Sequence, residues 1–216
     1  TLSPASDIRP LVRIGTTVEE INNTVIEIQP DVIVTGLRGL SEGNRTLFGS
    51  NAVSLVRNAS CPVLVVPEKA QLRPPRKMTV ATDYYDSDLE VLRFLAPAAK
   101  VFSSEIAVVH VYNDEDDRES EGFMLEAIAR ELRKKVDYPE ISFKLFHDKS
   151  VSHGIQQFSE TSDADLVVLS ARKLSFFQKM LGSSISEQII YNSSIPVMVF
   201  HTHRTSDRII DLPGMD

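Results

Sequence analysis

Residues 31–67 read DVIVTGLRGLSEGNRTLFGSNAVSLVRNASCPVLVVP, and residues 165–201 read DLVVLSARKLSFFQKMLGSSISEQIIYNSSIPVMVFH. At an offset of 134 they align without a gap and share 12 identities in 37 positions, among them Asp31 with Asp165, Ser50 with Ser184, and Pro62-Val63 with Pro196-Val197. A gapless match with both apolar ends in register marks an internal duplication. Each copy has the same grammar. A short aliphatic run (residues 32–35; 166–169) predicts a buried strand. A polar loop follows, then a helix that Ser50 or Ser184 can cap. A proline then opens a second buried strand, residues 63–66 or 197–200, in the one strand position where proline is tolerated.

Between the copies the pattern is fuller. Pro74-Pro75 marks a linker. Residues 78–82 predict a strand, and residues 87–101 a helix with Leu89, Leu92, Leu95 and Ala99 on one stripe. A strand over 106–111, a helix over 123–136 with Phe123, Ile128, Leu132 and Val136 for burial, a strand over 141–146 and a helix over 151–162 complete the run. Strands alternating with helices at this spacing predict an α/β fold: an open parallel sheet with helices on both faces.

The second unit starts near Lys77, so by the offset of 134 the first should start some 57 residues before Thr1. What is visible of the first unit is its last part: a strand over 11–14, a helix over 18–28, and the repeated segment. The expectation is one partial and one complete unit, the chain being a fragment or lacking a segment that was cleaved, deleted or left out. Half a doubly wound sheet would expose an apolar edge. The predicted organisation is residues 1–70 for the end of the first domain, 71–76 for a linker, 77–201 for the second domain and 202–216 for a tail.

The sharpest chemical signal is Gly36-x2-Gly39-x9-Gly49-Ser50. Gly36 follows its strand directly, at the carboxyl edge where open α/β sheets bind ligands. Glycine there lets backbone N–H groups approach a phosphate with no Cβ in the way. Gly49-Ser50 opens a helix whose unpaired N–H groups and dipole favour an anion. The Ser50 hydroxyl can donate to a phosphate oxygen or cap the helix, and Arg38 can add a charge-assisted contact. The spacing is neither a Walker A loop nor the dinucleotide GxGxxG fingerprint. Three turn glycines and a capping serine explain the bare pattern equally well.

Composition narrows the classes. With 42% apolar and 25% charged residues the chain reads as globular. No apolar run approaches the roughly 20 residues of a membrane span, and no secretory leader pattern is present. A net charge of -7 argues against nucleic acid as the main partner. Cys61, the single cysteine, excludes an intrachain disulfide and fits a cytoplasmic setting.

The glycine spacing after a valine-rich strand, followed by a helix and CPVLVV, resembles the universal stress protein family. Val80-Ala81-Thr82-Asp83 is similar to that family's first-strand ending, and the resemblance spans roughly residues 11–201. It implies an open, parallel-sheet, flavodoxin-like fold of the adenine nucleotide alpha hydrolase-like kind, and ATP or a related adenine nucleotide as ligand, with or without Mg. Carried over, the contacts are Thr35, Gly36, Gly39, Gly49, Ser50 and Asn51. The family's first-strand aspartate, which helps hold the nucleoside, falls for the first unit in the missing stretch. In the second unit Gly36 becomes Ser170, Gly39 becomes Lys173 and Gly49 becomes Ser183, so its motif is degenerate. Asp83 remains there, with Lys173 and Ser184 as fallback contacts. The resemblance also implies that the closing strands pair, within one chain as a pseudo-dimer or between chains as a homodimer.

Other candidates carry less. His110 lies in an apolar strand and reads as a packing residue. His201-x-His203 is a weak metal pattern. His147, Asp148 and His153 invite a Ser-His-Asp triad, but no GxSxG elbow supports one. Cys61 before Pro62 reads as buried. The six carboxylates of residues 114–121 read as a solvated loop entering a helix. The leading reading is an adenine-nucleotide-binding stress-response protein with ATP on the first unit. A weak ATPase or phosphotransfer enzyme and a ligand-free interaction module are the alternatives. No base is identifiable to orient water, so any hydrolysis is expected to be slow.

Overall fold

The structure, a computed structural model, describes residues 7–37, 50–71, 73–85, 87–172 and 185–202. In chain order it contains α1 (Thr17–Ile28), β1 (Ile33–Gly36), α2 (Ser50–Asn58), β2 (Val63–Val66), β3 (Lys77–Ala81), α3 (Ser87–Phe102) and β4 (Glu105–Tyr112). After a 3-10 turn (Glu115–Asp117) come α4 (Arg118–Lys135), β5 (Ile141–His147), α5 (Val151–Thr161), β6 (Leu166–Arg172), α6 (Ile185–Asn192) and β7 (Val197–Thr202). Local chemistry sets the boundaries. Gln29 takes a left-handed conformation and its N–H bonds the Val25 carbonyl, ending α1 just before Pro30. Pro62 and Pro196 precede β2 and β7, where a missing N–H costs nothing.

The strands form one sheet of seven in the order β1-β2-β7-β6-β3-β4-β5. Every neighbouring pair is parallel except β2 and β7, which run antiparallel with Val63 opposite Val199, Leu64 opposite Met198 and Val65 opposite Val197. Counted from β3, the second unit has its strands in the order 3-2-1-4-5, the doubly wound order of dinucleotide-binding folds, with the switch point between β3 and β6. The expectation of an open, mostly parallel α/β sheet thus holds.

Two apolar clusters fill its faces. On one, Leu92 and Leu95 of α3 and Ile128 and Leu132 of α4 pack on Val80, Ile106 and Val108. On the other, Ala52, Leu55 and Val56 of α2 meet Ile189 and Ile190 of α6 and Ile155 of α5 over Val65, Val167 and Val199. Burying each large aliphatic side chain stabilises by about 1.5–3 kcal/mol, so the second cluster ties both units into one core.

Three expectations are corrected. Residues 11–14 form no strand, and Val12 and Ile14 are 89% and 98% exposed. The corresponding strand of the second unit, β5, pairs with β4, and the given sequence contains no counterpart of β4 for the first unit. Phe123 is 67% exposed; α4 begins at Arg118, and its buried stripe runs through Met124, Leu125, Ile128 and Leu132, leaving Phe123 beside it. Finally, β2 is flanked by β1 and β7, and β7 by β2 and β6. The closing strands therefore pair with each other within the chain, which answers the homodimer expectation with its pseudo-dimer form.

Candidate functional site

Gly36 ends β1 at its carboxyl edge, and the pairing continues one step further as the Leu37 N–H donates to the Val66 carbonyl at 3.1 Å. Because β1 and β2 are parallel, the chain between them crosses over and α2 starts at the same edge as Gly36, with Ser50 its first residue. Thr35 is half-buried and Asn51 exposed. Thr35, Gly36 and the α2 N-terminus at Ser50 and Asn51 thus lie toward the same edge of the sheet. Arg38, Gly39 and Gly49 lie outside the described residues. The other end of α2 is held by the second unit: His201 of β7 hydrogen-bonds through Nε2 to the Val56 carbonyl in the last turn, one of the carbonyls a helix cannot satisfy internally.

Asp83 is elsewhere. The antiparallel joint between β2 and β7 points β1 and β2 opposite to β3, β4 and β6, so Asp83, just past the end of β3, stands at the other edge of the sheet from Gly36. There a cavity of about 140 Å³ opens at the switch point, lined by Asp83, Asp88, His110, Ile155 and Ser170 among others. Ser170 puts a side chain where the first unit has Gly36, and its buried hydroxyl has no hydrogen-bond partner among the described residues. Lys173 and Ser184 lie outside the described residues.

The loop after β3 is tightly built. The Thr82 hydroxyl donates to the buried Asp88 carboxylate at 2.5 Å and accepts the Tyr84 N–H at 3.1 Å. This holds Tyr84 at a φ of 64°, a left-handed conformation rare for a bulky residue. The Tyr84 ring stacks on His110 with centroids 4.1 Å apart, and burial pushes its hydroxyl pKa well above the usual tyrosine range. His110 Nδ1 lies 3.0 Å from the Thr82 carbonyl and Nε2 lies 3.3 Å from Glu121. His110 packs as a strand-end residue while also lining the cavity.

His147 Nδ1 lies 3.1 Å from Glu115. His153 Nδ1 lies 2.6 Å from Asp148, whose carboxyl is held below the usual range by the Ser150 N–H and by His153. Ser150 and Ser152 hydrogen-bond each other, and Ser152 donates to Gln188, so no triad forms among the described residues. His203 lies outside the described residues, which contain no group of three metal-ligating side chains. Cys61 is half-buried, and burial pushes its thiol pKa up. The acidic stretch is more ordered than a loop: Asp114 caps the 3-10 turn, and α4 starts at Arg118. Sequence reasoning missed the pinned linker, where Asp165 pairs with Arg73 and accepts the N–H groups of Arg76 and Lys77. The equivalence of Asp165 with Asp31 was the available signal.

Fold and strand order together define an open, doubly wound α/β protein. The chain belongs to the universal stress protein family, whose model matches residues 4–67 and 75–201. It is 27% identical over 177 residues to universal stress protein Slr1230 of Synechocystis, covering 79% of this chain and 58% of that protein. It is 26% identical over 192 residues to universal stress protein Rv2005c of Mycobacterium tuberculosis, covering 82% and 64%. The chain therefore spans about three fifths of these relatives' length. In fold it is similar to the crystal structure of a universal stress protein from Archaeoglobus fulgidus, with a TM-score of 0.64 at 23% identity, covering 85% of this chain and 66% of that one.

Proposed function

We propose that the chain is an adenine-nucleotide-binding stress-response protein in which the first unit holds the phosphates of ATP, with or without Mg. The observation that carries this reading is the shared edge of Gly36 and the α2 N-terminus at Ser50. A phosphate there meets unpaired helix N–H groups and the positive end of the helix dipole. Family membership supports the adenine part, since motif-bearing members bind such nucleotides. Thr35, Gly36, Arg38, Gly39, Gly49, Ser50 and Asn51 are the proposed contacts. The domain reading goes with it: residues 1–70 as the end of a first domain, 71–76 as linker, 77–201 as a second domain and 202–216 as tail, working in the cytoplasm. The paired closing strands make the two units a pseudo-dimer.

The second unit is read as holding no ATP. Its cavity of about 140 Å³ falls short of the roughly 300–1,000 Å³ of ordinary ligand pockets, and Ser170 occupies the glycine position. Equilibrium dialysis of the protein against ATP, followed by a phosphate-release assay, tests the function. Binding without turnover is expected. Turnover at the rate of an ordinary kinase or ATPase would favour the enzyme reading, and absence of binding would leave an interaction module.

A further inference from the structure

Residues 129–135 read ARELRKK within a chain of net charge -7. Three of these cations, Arg130, Arg133 and Lys134, line an open groove of about 590 Å³ between α4 and β5. Leu125, Ala129 and Phe143 form its floor, and Glu126 is its one carboxylate. The Arg133 guanidinium lies over the Phe143 ring, 5.1 Å from its centroid, which keeps that charge at the groove. Lys134 pairs with Glu131 at 2.7 Å, while Arg130 makes no ion pair among the described residues. Cations in a helix's last turn complement its dipole, and Arg133 and Lys134 belong to that turn. Arg130 lies outside it, and the dipole gives no reason for an apolar floor.

The strand beside the groove points to the occupant. β5 is the last strand in the sheet order, so one edge of its backbone has no strand neighbour among the described residues. It is seven residues long, enough to template an added strand. Lys144 stands exposed on it, the kind of charge that discourages self-pairing of edges. Two copies meeting at β5 would bring like charges together, whereas an acidic strand would be attracted.

We infer that the groove between α4 and β5 takes an acidic, extended peptide segment of a partner protein. Its backbone adds to the free edge of β5, its carboxylates meet Arg130 and Arg133, and an apolar side chain rests near Phe143. The test is fluorescence polarisation of the intact protein with a labelled peptide of sequence DIEVDLE, at low and at physiological ionic strength. Saturable binding with a Kd on the order of 10–100 μM is expected, weakening as salt rises. The charge reversal Arg130→Glu with Arg133→Glu should weaken it at least about ten-fold, with the circular dichroism spectrum unchanged. A lysine version, KIKVKLK, and a DIEVDLE peptide with N-methylated backbone should both fail to bind. The inference is overturned by equal binding to the folded double variant, by equal binding of the lysine or N-methylated peptide, or by no saturable binding of DIEVDLE at low salt.

Discussion

Leu64 of β2 lies opposite Met198 of β7 in an antiparallel register, and through this joint two tandem units become one seven-stranded sheet. The joint uses the edges of both closing strands. It also sends the carboxyl ends of the two units to opposite edges, separating Gly36 from Asp83.

One consequence is cooperative. Leu55 of α2 is 1% exposed and shares a cluster with Ile189 and Ile190 of α6. Leu55→Ala should cost about 2–5 kcal/mol and shift one transition that reports on both units, as followed by calorimetry. Two transitions, with the second unit melting as in the parent protein, would contradict a shared core.

At the loop after β3, Thr82→Val keeps shape but removes the hydroxyl that donates to Asp88 and accepts from the Tyr84 N–H. Leaving buried polar groups short of a partner costs about 1–3 kcal/mol. Urea titration should show that loss; a change below about 0.5 kcal/mol would mean the hydroxyl does not hold the loop.

Gly154 sits where α5 touches β4. A Cβ there would lie 2.6 Å from Val111 Cγ1 and 2.9 Å from Asp148 Cβ. Alanine gains up to about 1 kcal/mol in helix propensity, but overpacking costs about 1–3 kcal/mol. Gly154→Ala should therefore destabilise by up to roughly 2 kcal/mol on balance. A stabilised variant would show that α5 can move off the strand.

Asp148 gives a pH signature. Its folded pKa lies below the ordinary value because it accepts the Ser150 N–H and pairs with His153. A depressed carboxyl contributes stability that is fully present above the unfolded pKa of about 3.9 and is lost as pH falls through the folded value. Stability measured from pH 7 to 3 should fall less steeply with acid in Asp148→Asn. A carboxyl titrating at or above the ordinary value by NMR would refute the assignment.

Much of this was legible in sequence because it rests on periodicity. The repeat located β1, β2, β6 and β7, and the aliphatic stripe of residues 87–101 anticipated α3 closely. Residues 11–14 misled because a strand pattern records propensity, while a strand exists only where another strand pairs with it. Phe123 misled because the helix began five residues earlier than its apolar stripe suggested. The edge of the proposed phosphate site follows from Gly36 standing directly after its strand. Its separation from Asp83 does not, because that depends on the sense of the β2–β7 pairing, which no single-strand pattern encodes.

The central claim is that phosphate recognition belongs to the first unit alone. Isothermal titration of the protein with ATP, comparing Gly49→Val with Asp83→Ala, tests it most directly. The account predicts one site per chain, weakened about ten-fold or more, or by about 1.4 kcal/mol upward, in Gly49→Val, and unchanged in Asp83→Ala. Full affinity in Gly49→Val, or loss of binding in Asp83→Ala, would contradict it.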